Sequence, residues 1–333
     1  MRTAVVILNW NGAEMLKKFL PSAVAPQPQG GEYEVIVADN ASTDNSMSVI
    51  EELFPQVRTI KLEKNWGFAD GYNKALEQVD AEYFVLLNSD VEVSDGWLKP
   101  LVEFMDSNDD VAAVQPKLLK YGLPYKNKTF EYAGAAGGFI DKYGYPYCRG
   151  RIFEVVEQDF GQYDEPLEVH WATGACLMVR ACDYRAVGGL DGRFFAHNEE
   201  IDLCWRLRIA GKKIFCIPES HVYHVGGASL SKDNPMKTYL NFRNNLTMLY
   251  KNLPEEQLSG VMKIRKILDY VASLHSLLQG KKGDARAILR ARHDFKQWKN
   301  NFKADREMIQ NNRKMEGNLD TSNLSILWQY HVK

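Results

Sequence analysis

The sequence predicts an α/β fold, a mostly parallel sheet covered by helices on both faces. Three observations carry this. Short β-rich runs alternate with helical segments through the first third of the 333 residues. The runs are apolar almost without a break, as in strands buried on both sides. Their spacing leaves room for a helical crossover between successive strands, which makes the connections right-handed and the neighbours parallel.

The elements follow in order. "AVVILNW" (4–10) reads as a buried strand and "AEMLKKFLPSAV" (13–24) has helical periodicity. "YEVIVADN" (33–40) is a second strand and "SMSVIEELF" (46–54) a second helix. "VRTIKLE" (57–63), "FADGYNKALEQV" (68–79) and "YFVLLNSD" (83–90) continue as strand, helix, strand. After the helix "GWLKPLVEFM" (96–105) and the strand "VAAVQP" (111–116) the pattern changes. Residues 120–168 are rich in Gly, Tyr and Pro without a period, and read as an irregular insertion, a hairpin beside the site. "VHWATGACLMVR" (169–180) and "KIFCIP" (213–218) are strands around the helix "EEIDLCWRLRIAG" (199–211), which Gly211 ends.

From about Lys237 the chain is helical, so the expected division is a catalytic unit over 1–236 and a helical extension over 237–333. Val261, Ile264, Leu268, Val271 and Leu278 fall on one stripe. Ile288, Ala291, Phe295, Trp298, Phe302 and Ile309 fall on another. Both stripes are expected to pack inside the protein. The Lys and Arg opposite them leave contact with a membrane surface open.

The net charge of −2 hides an asymmetry. From Asn241 onward 17 Lys and Arg stand against 9 Asp and Glu, so the basic residues sit in the helical extension. The five cysteines, an odd number without a C-x-x-C pair, fit a reducing compartment and argue against a disulfide framework or a structural zinc. The opening "MRTAVVILNW" is too short an apolar run for a secretory signal, and no run reaches the ~18–20 residues of a membrane span. A cytoplasmic protein is expected, with contact at the inner membrane face left open.

In such a sheet ligands bind at the carboxyl ends of the strands. There the first strand ends in "NWNG", the second in "ADNASTDNS" and the fourth in "NSDVE". Several carboxylates therefore share one rim, and a hard divalent cation with oxygen ligands would relieve their repulsion. Neither G-x-G-x-x-G nor a P-loop is present, so no glycine loop cradles phosphate. Asp44 also has the chemistry of a helix cap, and Asp202 and Arg206 stand at i, i+4 as a helix pair.

The stretches "VVILNWNG", "VADNASTDNS", "NWGFADGYNKAL", "LLNSDVEV" and "TGACLMVR…VGGLDGRFFAHNEEIDLCWRLRIAG…PESHVYHVGGAS" together resemble the family 2 inverting glycosyltransferases. The match is nearest to the bacterial rhamnosyltransferase-like branch, which builds cell-surface polysaccharide. The resemblance implies the GT-A (Rossmann-like) fold and a nucleoside-diphosphate sugar donor, with dTDP-rhamnose favoured and a UDP-hexose the rival. A catalytically silent sugar-nucleotide-binding protein of the same fold is the other reading. The resemblance further implies a glycan or polyprenyl-diphosphate-linked acceptor, a Mg²⁺ or Mn²⁺ ion, and no nucleic acid.

Carried over by residue, the resemblance puts Asn9, Asn11 and Asp39 on the base and ribose. It assigns Asn65, Gly67 and Asn73 to the donor pocket. The family's D-x-D motif reads Asn88-Ser89-Asp90 here, so Asp90 is the metal ligand and Asn88 offers a carbonyl oxygen or a ribose contact. His224 is a further metal or diphosphate contact. The catalytic base is the second acid of Glu199-Glu200, hence Glu200, with Glu199 the alternative. Arg206 would reach the diphosphate and Trp171 would stack on the acceptor sugar. His197 and His221 lack such a setting and read as structural.

Overall fold

The computed structural model of the protein describes residues 1–25, 33–124, 128–226, 234–314 and 324–332. Strands β1 (Thr3–Asn9), β2 (Tyr33–Asp39), β3 (Arg58–Lys61) and β4 (Tyr83–Asn88) are parallel and lie in the order β3-β2-β1-β4. Helices α1 (Ala13–Val24), α2 (Ser46–Leu53) and α3 (Gly67–Leu76) connect them. The chain steps outward from β1 to β3 and then returns to the other side of β1. That reversal opens a crevice at the carboxyl ends of β1 and β4.

The unbroken apolar runs have a simple cause. Val6, Phe84 and Leu86 face one core, while Val5, Ile7, Val85 and Leu87 face a second core across the sheet. With period-two alternation, a strand covered on both sides has no position left for a polar residue.

Beyond β4 the sheet becomes mixed. β5 (Val91–Val93), α4 (Leu98–Asp106) and β6 (Val111–Lys120) come next. The insertion then forms its own antiparallel sheet of β7 (Gly138–Ile140), β8 (Pro146–Cys148), β9 (Arg151–Ile152) and β10 (Val155–Val156), where a single hairpin was expected. β11 (Leu167–Glu168) precedes β12 (Cys176–Arg180), which lies antiparallel between β4 and β6. A strand reached through an insertion, with no crossover helix, is not bound by the parallel rule. Among the described residues the main sheet has nine strands.

Helices α5 (Ala181–Ala186) and α6 (Glu199–Ile209) lead to β13 (Lys213–His224), twice the predicted length. β13 runs parallel to β6, and its register shifts between Ile217 and His221, around Pro218. Past the bulge it pairs with β5, bringing His224 opposite Val91.

The carboxyl-terminal helices are α7 (Pro235–Asn252), α8 (Glu255–Leu278), α9 (Lys282–Trp298), α10 (Lys303–Asn311) and α11 (Ile326–Val332). Of the two expected stripes, the one from Ile288 to Ile309 is packed, with Ala291 and Phe302 fully buried. The other is not: Ile264, Val271 and Leu278 are exposed on α8.

Helix α7 packs on α6 through polar groups. Lys251 is 2% exposed, and its ammonium sits 2.7 Å from Asp191 and 2.8 Å from Asp202. Asn252 donates to the other Asp202 oxygen at 2.8 Å. Removing one partner of a buried pair leaves the rest uncompensated. Lys251→Ala is therefore expected to lower unfolding stability by about 3 kcal/mol. Urea denaturation checks this, and an unchanged midpoint would show that Arg206 and Arg193 suffice alone.

Candidate active site

The rim of the crevice is built by strand ends. Asn9 closes β1 and Asp39 closes β2, and the Asn9 amide donates to Asp39 at 3.2 Å and to Ser42 at 3.1 Å. The other Asp39 oxygen accepts from the Ser42 amide. Asn9 Oδ1 is buried without a hydrogen-bond partner, as in a site shaped for a ligand donor. Asn11 has φ +52° and accepts from the Thr43 amide at 2.7 Å, which clips the β1 loop to the β2 loop. Asp44 is a cap. One oxygen accepts from Ala13 N at the start of α1 and the other from Ser46 N at the start of α2.

Of the three residues assigned to the donor pocket, Asn65 in the next loop and Asn73 on α3 are engaged within the protein. Asn65 accepts from Asn40 and from Gly67 N. Asn40, 2% exposed, also donates to the Gly67 carbonyl and accepts from Trp66 N. Asn73 is spent on Leu190 O, Leu190 N and the Tyr184 hydroxyl. Gly67 has φ +74°, and a Cβ there would lie 3.1 Å from the Phe195 ring. Glycine is required on both counts.

Past β4, Asp90 is 6% exposed and its Oδ1 is 3.1 Å from His224 Nε2. The opposite ring nitrogen, Nδ1, lies 3.1 Å from Glu131 Oε2, at ion-pair distance but off the line of a hydrogen bond. Burial by itself would lower the His224 pKa. The two carboxylates, Asp90 first, overcome that and raise it to about 10. Glu131 comes from the insertion, where no period or motif marked it.

This group bears on the expected cation. Two donors held side by side on an octahedral ion at ~2.1 Å lie about 3 Å apart, the spacing of Asp90 Oδ1 and His224 Nε2. A carboxylate behind the second imidazole nitrogen is the usual support of a metal-bound histidine. Among the described residues no three His, Cys, Asp or Glu side chains surround one point. Among the described residues Asp90 and His224 are the candidate ligands, His224 only once an arriving cation displaces its Nε2 proton, and phosphate and water oxygens would have to supply the rest.

The acid pair opens α6. Phe195, His197 and Asn198 all have φ near +70°, an uncommon setting for residues with side chains. Asn244 of α7 holds this loop, with its amide nitrogen within 2.8–2.9 Å of the Phe194, Ala196 and His197 carbonyls. Nothing in "NFRNNL" marked it. Glu199 and Glu200 each keep one buried oxygen without a partner. Burial raises the Glu200 pKa to about 7. Burial, and then the charge of Glu200, also raise Glu199 well above the ordinary carboxyl range. The two neighbouring carboxyls titrate as a coupled pair, and burial holds both above the ordinary carboxyl range. Burial lowers His197 to about 4, so it is neutral.

The segment Thr173-Gly174-Ala175 joins the two halves. The Ala175 carbonyl accepts from Asn88 N at 3.0 Å. A Cβ on Gly174 would lie 3.7 Å from the Glu200 Cβ. Asn88 and Glu200 thus flank one turn. Trp10, next to Asn9 in sequence, and Phe195, whose ring lies by Gly67, are exposed aromatic faces.

Two expected contacts are corrected. Trp171 is 4% exposed, its Nε1 donates to the Phe139 carbonyl at 2.9 Å, and its ring lies against Gly138. It packs the insertion onto the sheet and has no free face for a sugar. Arg206 commits each of its three nitrogens, to Asp202, Val187 O and Gly189 O, and is 8% exposed, so the helix pair and the loop before α6 account for it in place of a diphosphate. The "GAS" end of the motif after His224, residues 227–229, lies outside the described residues.

Residues 4–169 match the family described as Glycosyl transferase family 2. Over these residues, just under half of the chain, the sequence is similar to that family. A relative named O-antigen biosynthesis protein RfbC, from Myxococcus xanthus, is 27% identical over 238 residues, 70% of this chain and 18% of its own length. The chain thus spans under a fifth of that protein. The N-acetylglucosaminyl-diphospho-decaprenol L-rhamnosyltransferase of Mycobacterium tuberculosis is 26% identical over 243 residues, covering 69% of this chain and 78% of the relative. A crystal structure of GalNAc-T7 with UDP, GalNAc and Mn²⁺ superposes with a TM-score of 0.61 at 16% identity, covering 91% of this chain and 56% of that one. That likeness is one of fold, the α/β sheet flanked by helices expected of the glycosyltransferase. No helix among its described residues is long and apolar enough to cross a membrane.

Proposed function

We propose that this glycosyltransferase moves rhamnose from dTDP-rhamnose to a hydroxyl of a glycan or lipid-linked glycan, with inversion, in cell-surface polysaccharide synthesis. The observation that carries the chemistry is Glu200: a carboxyl with a free oxygen and a pKa of about 7, one turn away from the strand end that holds Asp90. A base poised near neutrality takes the acceptor hydroxyl's proton as it attacks, a contribution of about 10²–10⁴-fold. A single base opposite the leaving group gives one displacement and therefore inversion.

Asn9, Asn11 and Asp39 receive the base and ribose, and the orphaned Asn9 oxygen accepts from the nucleoside. Asp90 and His224 would hold the divalent cation, with Glu131 orienting the imidazole. When bound, Mg²⁺ or Mn²⁺ offsets the charge that builds on the leaving diphosphate. The exposed ring of Phe195 takes the acceptor-facing role that Trp171 cannot.

The rhamnose and lipid-linked parts of the reading rest on the names of the relatives. A donor panel tests them. With Mn²⁺ present, dTDP-rhamnose is expected to raise the melting temperature above UDP-glucose, UDP-N-acetylglucosamine or free nucleotides, and product NMR should show the inverted anomer. A larger shift with a UDP-hexose would move the donor assignment to that sugar. Binding without turnover on any acceptor would favour a silent sugar-nucleotide-binding protein.

A further inference from the structure

Helix α8 is turned inside out. Its fully buried positions are polar: Arg265 is 1% exposed and Asp269 is 0% exposed, with Ser273 close behind. The Arg265 guanidinium lies 3.9 Å from the Tyr145 ring centre and pairs with Asp269, which also takes Arg292 of α9. Ser273 donates to the Ala285 carbonyl. Polar bonds thus dock the helix on the insertion and on α9.

The opposite side is aliphatic. Ile267, Tyr270, Val271, Leu274, Leu277 and Leu278 are between 48% and 79% exposed. At about 100° per residue they fill one continuous arc of roughly 120° over three turns. Scattered surface leucines need no account, but a contiguous apolar face this long marks an interaction surface.

The charges around it identify the occupant. From Glu255, where α8 starts, to Arg292 there are eight Lys and Arg and four acidic residues, of which Glu255 and Glu256 lie about three turns before the aliphatic arc and the others are Asp269 and Asp284. Asp269 is buried in its ion pairs, and Asp284 is bonded to Thr238. Exposed Lys263 and Lys266 precede the aliphatic arc, and Lys281 and Lys282 follow it. A second copy would bring like charges together across the contact. A lipid surface with anionic headgroups meets both the aliphatic face and the basic border.

We infer that α8 is an interfacial membrane helix, lying flat on an anionic bilayer with its aliphatic face among the headgroups and acyl ends. This stands on the helix alone, whatever the donor or acceptor. It would hold the crevice beside a membrane-borne acceptor.

The test is co-sedimentation of the full chain with phosphatidylglycerol–phosphatidylcholine vesicles and with pure phosphatidylcholine. Binding to the anionic vesicles is expected, with loss at high salt. Leu274→Ser with Leu278→Ser is expected to weaken it at least about tenfold. Lys281→Glu with Lys282→Glu is expected to weaken it about tenfold or more at low salt. Both variants should keep the parent melting temperature and donor-binding affinity, because these side chains face solvent and lie outside the crevice. Failure of the parent to bind anionic vesicles would overturn the inference. So would a concentration-dependent dimer that the leucine variant dissolves, or a large fall in its melting temperature, which would show the face packed within the chain.

Discussion

Glu200→Gln is expected to reduce transfer by at least about 10²-fold while leaving donor affinity within a few-fold of the parent. The glutamine keeps the shape and cannot take the acceptor proton. Glu199→Gln should stay within about tenfold, because the proton transfer is assigned to Glu200 and a glutamine at 199 keeps the buried shape. The reverse pattern, with Glu199→Gln dead and Glu200→Gln active, would move the base by one residue. In the parent, kcat/KM should fall on the acid side of about pH 7, as Glu200 protonates.

The same carboxyl gives a stability signature of opposite sign. Its pKa rises from 4.5 in the unfolded chain to about 7 in the folded protein. The folded state therefore holds the proton more tightly, and the favourable contribution is complete below about pH 4.5. It is lost as pH rises through 7, where ionisation must occur in a buried setting. Glu200→Gln removes that cost, so the inactive variant should be more stable than the parent at pH 8, by about 1–3 kcal/mol. The smaller figure allows for the partial exposure of the residue as a whole. A variant that is both inactive and less stable at pH 8 would point to a structural role.

Asp90→Ala is expected to weaken nucleoside-diphosphate binding in Mn²⁺ by about 10²-fold or more, while binding in EDTA changes little. The cause is the loss of the carboxylate that we propose holds the cation together with His224. Calorimetry with dTDP and with UDP, with and without Mn²⁺, reads this directly. Glu131→Gln should give a smaller loss of Mn²⁺ affinity, about 10–100-fold, since it acts only through the imidazole of His224. If neither substitution alters the difference between Mn²⁺ and EDTA, the cation does not sit at Asp90 and His224.

Much of this was legible from residue types and order. The buried parallel strands β1 to β4 follow from apolar runs that only a doubly covered strand tolerates. Asp90 was legible because a carboxylate directly past such a strand stands at the rim. Glu200 depended on its position in a family pattern, since two adjacent acids at a helix start also suit the helix dipole. Trp171 and Arg206 misled for a shared reason. Each has a side chain that suits a ligand and also suits packing, and sequence order does not show which neighbour arrives first.

By itself, then, the sequence determined the parallel half of the sheet, the crevice at its carboxyl edge and the acids that line it. These follow from local periodicity and from what each strand end must present. The tertiary structure alone decided the rest, because it depends on groups distant in sequence. His224 meets Asp90 across 134 positions through a bulged strand. Glu131 supports it from an aperiodic insertion, and Asn244 of α7 holds the loop before Glu200. Which side of α8 faces water was read wrongly, as an inward stripe, because periodicity locates an apolar stripe without naming its partner. Buried bonds from Arg265 and Asp269 turned that stripe outward.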